Sequence, residues 1–196
     1  GTSGWNSGAI AYHPYSISPN YADYYPGENF ENNLTDDYAN ADWGVYNKIS
    51  NGGDEIGMWR TLTGNEWNYL ISTRPHSKEL YSRGCVNGVY GLIILPDEWE
   101  QPETISFKPR GIEWNTNEYT TAEWLKMEIN GAVFLPTAGN RDEVEIYNVG
   151  TDGYYWASST IEGENATAST SAFCIGFNKA GVLPDIIFDR QWGLSV

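Results

Sequence analysis

Tyr154-Tyr155-Trp156-Ala157-Ser158-Ser159-Thr160 and Ala172-Phe173-Cys174-Ile175-Gly176-Phe177 stand out within the last 43 residues of the chain. The aromatic cluster 154–156 and the apolar strand 172–177 read as fixed core. Period-two geometry puts Phe173, Ile175 and Phe177 on one face of that strand and Cys174 and Gly176 on the other. The first set is assigned to the core and the second to the outer face. Around these segments lie residues that suit no core: Glu162-Gly163-Glu164-Asn165, and then Asp185-Ile186-Ile187-Phe188-Asp189. The second run follows neither alternation nor a helical period. Its apolar side chains are either buried by a neighbour or exposed for a partner.

Upstream, a helix-then-strand unit occurs twice. Thr63-Gly64-Asn65-Glu66 and Thr120-Thr121-Ala122-Glu123 both have the Thr-x-x-Glu spacing of a capping box, in which the hydroxyl accepts from the N3 amide and the carboxylate reaches back. After the first box, Trp67, Leu70 and Ile71 fall on one helical face, and the helix stops before Pro75. After the second, Trp124, Met127 and Glu128 follow at helical spacing, and Asn130-Gly131 ends the helix. Each helix is followed by an apolar run closing in Leu-Pro, Gly91–Pro96 and Gly131–Pro136. Runs of this kind read as central strands buried on both faces, with the Pro ending each ladder. Residues 97–119 read as polar loop, Val144–Val149 as an alternating strand, and Asp152-Gly153 as a tight turn into the Tyr-Tyr-Trp strand. The fold class is α+β: two short helices, small antiparallel sheets and long ordered loops around one core, over a single domain 1–196.

Composition narrows the function. The 196 residues carry 26 acidic against 11 basic side chains, a formal net charge of −15. Such a chain repels phosphate backbones and anionic bilayers, so nucleic acid is not an expected partner. No apolar run is long enough to span a membrane. The opening Gly1-Thr2-Ser3-Gly4 shows no secretion signal and does not weigh against secretion. Two cysteines, Cys85 and Cys174, are expected as unpaired thiols, because small disulfide scaffolds carry more. The acids Asp23, Glu28, Glu31, Asp36, Asp37 and Asp42 lack EF-hand spacing and are expected as a solvated surface.

Signs of enzyme chemistry are weak. There is no nucleophile elbow and no P-loop, and neither His13 nor His76 has a partner by spacing. Glu66 and Glu123 are explained as caps. Trp59, Trp67, Trp99, Trp114 and Trp124 could form a sugar-stacking platform, but their placement beside caps and apolar runs favours packing. No catalytic residue, metal or cofactor is expected.

Trp59-Arg60-Thr61-Leu62-Thr63-x-x-Glu66-Trp67 resembles a segment of the Fibrobacter-type major paralogous domain of gut-bacterial surface proteins. So do Val86-Asn87-Gly88-Val89 running into Gly91–Pro96, Gly131–Pro136 continuing to Ala138-Gly139-x-Arg141, and Tyr155-Trp156-x-Ser158-Ser159 with Arg190-x-x-Gly193-x-Ser195-Val196. The family is similar to C-type-lectin-fold domains, including the formylglycine-generating enzymes, and its ending looks like the variable region of proteins diversified by retroelements. The resemblance implies a C-type lectin fold and a lipoprotein or secreted domain at a cell surface or on a phage particle. It further implies that the natural protein extends beyond both ends of this chain. The paired active-site cysteines of the formylglycine-generating enzymes have no match here, nor do the Glu-Pro-Asn and Trp-Asn-Asp runs of calcium-dependent lectins, so neither activity carries over.

The expected function is that of a receptor or adhesin whose variable surface, about 154–196, binds a protein or other surface ligand. The alternatives are an undiversified structural or adhesive module and, least favoured, an enzyme of the formylglycine-generating type. Adenine-directed change of Asn codons reaches every residue of Leu183–Asp189, and within 165–190 only Lys179 lies outside its reach. The candidate contacts are Ile161, Glu162, Cys174, Asp185, Ile186, Ile187, Phe188, Asp189, Gln191 and Trp192, with aromatic anchors as the main source of affinity. Arg190 is read as scaffold. If the run is display surface, changing Ile186, Ile187 and Phe188 together to Asn costs little, whereas Trp156→Ala costs about 3–5 kcal/mol.

Overall fold

A computed structural model of the chain describes residues 34, 36–42, 56, 59–142, 145–160, 171–190 and 192–195. Both capping boxes form. Thr63 Oγ1 accepts from Glu66 N, the Glu66 carboxylate accepts from Thr63 N, and helix α1 runs Gly64–Asn68. One π-helical turn, Tyr69–Thr73, extends it to Arg74, ahead of Pro75. Thr120 and Glu123 start helix α2, Thr121–Ile129, in the same way. Trp67 and Ile71 are buried on the first helical face, and Trp124 and Met127 on the second.

Among the described residues nine strands form three sheets. A four-stranded sheet has the order β3-β1-β2-β4, with β1 Tyr81–Val86, β2 Val89–Ile94, β3 Glu118–Tyr119 and β4 Val133–Pro136. It is mixed rather than purely antiparallel, because β3 runs parallel to β1. β5 Asn140–Asp142 and β6 Glu145–Tyr147 form a ribbon, and β7 Gly153–Thr160, β8 Ser171–Phe177 and β9 Val182–Asp189 form an antiparallel meander. The chain is thus α+β.

The partition between two cores is β2. Alternation sends Leu92 and Ile94 to one side, where they join Trp67, Ile71, Tyr155, Ala157, Ile175 and Phe177. Ile93 and Leu95 go to the other side, to Val86, Ile105, Tyr119, Trp124, Met127 and Ala132. A strand that feeds a core on each face must be apolar at every position, which is why Leu92-Ile93-Ile94-Leu95 has no polar break. Helix α1 covers the inner face of the β7–β9 sheet, and α2 closes the second core.

Several sequence expectations are corrected. Val133–Pro136 is an edge strand with half-exposed side chains, since no further strand pairs with β4 among the described residues. β1 is a full central strand that its mixed composition concealed, and residues 97–119 contribute the buried Ile105 as well as β3. Of the expected strand 144–149, Glu145–Tyr147 pairs only within the β5–β6 ribbon and has no buried face. The turn into β7 lies earlier than Asp152-Gly153, at residues 149–151, and Gly150 takes its positive φ of 83°. Gly153 is instead the first residue of β7, lying beneath the Phe177 ring where a Cβ would overlap it. Asp42 does not belong to a solvated acidic surface. It is buried, and its carboxylate accepts from Thr61 N at 2.8 Å and Thr61 Oγ1 at 3.0 Å. The remaining named acids other than Asp36 and Asp37 lie outside the described residues, as does His13. His76 is exposed, 3.7 Å from Glu79. Cys85 and Cys174 are free thiols, both buried.

Candidate functional site

The site is built on the outer face of β7–β9. Pleating alternates the three aromatics at 154–156, so only Tyr155 turns into the core. There it stacks on Phe177 at 6.1 Å, and its hydroxyl donates to the Pro136 carbonyl at 2.8 Å. Tyr154 and Trp156 belong to the opposite face and are half-buried, which corrects their assignment to the core. Register then carries that face across the sheet: Trp156 pairs with Cys174 and Cys174 with Ile186, while Tyr154 pairs with Gly176 and Gly176 with Leu183. Between these rows β9 holds one extra residue, because three steps on β9 oppose two on β8. Such a bulge bends its strand locally.

The run Asp185–Asp189 is therefore a regular edge strand with alternating exposure. Ile186 and Phe188 lie half-buried on the outer face. Phe188 meets Tyr154 edge-on at 5.1 Å and Trp192 at 5.0 Å, giving a three-ring cluster. Gly176 lacks a side chain where Ile186 crosses it, and a Cβ there would overlap Ile186 Cδ1. The space left beside these residues is a groove of about 340 Å³ lined by Tyr154, Gly176, Asn178, Leu183, Ile186 and Phe188.

Two of the lining residues, Tyr154 and Asn178, reach a hydrogen-bonded polar cluster beside one end of the groove. Asp152 Oδ1 accepts from Asn178 Nδ2 at 2.9 Å and from the Tyr154 hydroxyl at 3.4 Å, and its Oδ2 accepts from Thr151 Oγ1 at 2.7 Å. Burial and the neighbouring Asp152 carboxylate raise the Tyr154 pKa above the usual phenol value. Asn178 fixes the β8–β9 turn, accepting at Oδ1 from Ala180 N at 2.7 Å and from Gly181 N at 3.3 Å. Its carbonyl accepts from Arg83 Nε at 2.8 Å, tying the turn to β1. At the other end, residues 193–195 lie beside β7, with Trp156 N donating to Ser195 O at 2.9 Å and Ser195 N to Tyr154 O at 3.0 Å. These bonds hold Trp192 against the sheet.

The sequence-derived contacts separate accordingly. Ile186, Phe188 and Trp192 come together, whereas Asp185 is exposed at the position that alternates with Ile186. Cys174 belongs to the outer face but is 0% exposed, and burial raises its thiol pKa to about 12. It is floor, not a contact, because the strands on either side cover so small a side chain. Ile187 pairs with Phe173, placing it at the open edge of the inner face, and Asp189 accepts from Ser171 Oγ at 2.9 Å as a cross-strand tie. Ile161, Glu162 and Gln191 lie outside the described residues. Arg190 donates to the Ser171 carbonyl at 3.4 Å, in keeping with a scaffold reading. Sequence reasoning missed Tyr154, Leu183, Asn178 and Asp152. For Tyr154 the signal was present, since three successive aromatics in a strand cannot all face one way.

A second, apolar cavity of about 480 Å³ lies between α1 and β4, lined by Trp59, Leu62, Trp67, Val133, Phe134 and Tyr155 among others. Trp99, Trp114 and Trp124 are not among its lining residues, so the five tryptophans form no common platform. Trp114 instead stacks on Tyr90 at 5.6 Å. Glu66 is engaged as a cap and pairs with Arg60; that hydrogen-bonded guanidinium, with Thr63, lowers its pKa to about 2. Among the described residues, no three His, Cys, Asp or Glu side chains are grouped to hold a metal ion, and no helix is long and apolar enough to cross a membrane.

Neither known protein families, nor curated proteins, nor solved structures contain a match to this chain.

Proposed function

We propose that this chain is a non-enzymatic ligand-binding domain, a receptor or adhesin module of a cell-surface or secreted protein, with a C-type-lectin-like scaffold and a display surface in its C-terminal meander. The observation that carries this reading is the division of labour across β7–β9. The inner face is sealed by Tyr155, Ile175 and Phe177, while the outer face leaves the Tyr154–Phe188–Trp192 cluster beside a groove. Aromatic side chains supported from below and open at one side are the usual anchors of interfaces. Two short capped helices, small sheets and a C-terminal segment returning beside β7 suit the lectin-type scaffold that the sequence resemblance implies.

The diversified form of the proposal is tested in the coding DNA. A nearby second copy of the 3′ segment, differing from the gene only at adenines, is the expected finding, and an undiversified module follows if no such copy exists. Binding itself is tested on protein and glycan arrays with the native chain and the Phe188→Ala and Tyr154→Ala variants. A ligand retained equally by all three would sink the assignment of this face.

A further inference from the structure

The outer-face groove combines two features that the function reading leaves unexplained. Its walls are apolar and aromatic, yet two of its lining residues, Tyr154 and Asn178, donate to a carboxylate just beside it, Asp152, which also accepts from Thr151. Among the described residues Asp152 makes no ion pair. The basic side chains of the β8–β9 turn and of β1 are engaged elsewhere: Lys179, in the turn, pairs with Glu113 at 3.3 Å, and the Arg83 guanidinium donates to the Asn178 and Ile112 carbonyls. Burial first, and then the neighbouring Asp152 carboxylate, raise the pKa of Tyr154. The whole chain, at −15, adds long-range attraction for cations.

We propose that this groove binds a lysine or arginine side chain of a basic peptide segment, the aliphatic stem lying along Leu183, Ile186 and Gly176 and the cationic end lying between the aromatic rings and Asp152. A stem of methylenes matches apolar walls, and long basic side chains bury their stems while keeping the charge in a polar setting. Aromatic faces attract cations within about 6 Å, more strongly when water is excluded. A groove of about 340 Å³ is at the small end of the range for ligand pockets and suits one or two side chains. The inference rests on the outer face being the binding face and adds the chemistry of its partner.

The test is selection of phage-displayed random dodecapeptides on the immobilised protein at about 0.15 M salt, where diffuse attraction is screened beyond about 8 Å. Titration calorimetry then compares an enriched peptide with its Lys→norleucine or Arg→citrulline counterpart on native protein, Asp152→Asn, Phe188→Ala and the milder Phe188→Leu, each shown folded by its thermal melt. The expected result is enrichment of Lys or Arg beside aliphatic residues. Asp152→Asn should weaken the charged peptide about tenfold, with little effect on the neutral counterpart. Basic peptides that bind Phe188→Ala, Phe188→Leu and Asp152→Asn as well as the native protein would show only diffuse attraction and overturn the inference. Neutral or acidic peptides whose binding is lost in the Phe188 variants would overturn the cationic chemistry while leaving the binding face standing. Enrichment of no peptide that depends on Phe188 would remove both.

Discussion

Ile175 and Ile187 offer a matched test of how the inner face is sealed, because one substitution on adjacent strands isolates burial. Ile175 is 0% exposed and packs with Trp67, Tyr155 and Phe177, whereas Ile187 is 51% exposed at the sheet edge. Ile175→Ala removes a fully buried side chain from a well-walled core, so both the transfer and the cavity terms apply. The expected loss is about 4 kcal/mol, in the upper part of the usual range. Ile187→Ala forfeits only about half of a side chain's burial and leaves no closed cavity, so about 1 kcal/mol is expected. Urea denaturation followed by tryptophan fluorescence gives both values from the midpoint and slope. Equal losses, or a loss below about 1.5 kcal/mol for Ile175→Ala, would refute the assignment of Ile175 to the sealed centre of that face and of Ile187 to its open edge. The triple Asn replacement at 186–188 is placed between the two, at about 2–3 kcal/mol, because Ile186 and Phe188 are half-buried and Asn is a poor strand residue. That is more than the sequence alone suggested. The large scaffold loss of about 3–5 kcal/mol moves from Trp156→Ala to Tyr155→Ala.

Gly176→Ala should destabilise the sheet by about 1–3 kcal/mol and displace Ile186, read as a lower urea midpoint together with altered Tyr154 and Phe188 ring signals in NMR spectra. Neither Cys85 nor Cys174 should react with a thiol reagent in the native protein, and both should react after denaturation; fast native labelling of Cys174 would contradict its burial. Glu66, its pKa lowered to about 2 chiefly by Arg60, contributes stability that is fully present above the unfolded carboxylate value and is lost as pH falls from about 4.5 through about 2. Because the pair is partly exposed, the effect should stay below about 1 kcal/mol, measured as a shallower acid-side fall in melting temperature for Glu66→Gln.

Local chemistry in the sequence was enough to place both helices, since a capping box is a contact between residues three apart and needs no tertiary partner. The doubly buried strand at 91–95 was legible for a similar reason, because feeding two cores removes every polar position from the strand. The edge status of Val133–Pro136 could not be read, because an edge strand and a central one can share one composition and only the absent neighbour separates them. β1 was hidden by Ser82, Arg83 and Gly84, each of which fits a central strand through a tertiary partner: Ser82 Oγ accepts from Gly111 N and Asn117 Nδ2, Arg83 donates to distant carbonyls, and Gly84 admits Ile93. At the candidate site, the sequence marked Ile186, Phe188 and Trp192 as residues without an obvious core. The β9 bulge and the pairing with β8 decided which of their neighbours join them. Alternation settles the face on which a residue stands, but what covers that face is fixed only by strands and turns far away in the chain. For that reason Cys174 became floor, Ile187 moved to the opposite edge, Tyr154 entered the groove and Asp152 came to lie beside it.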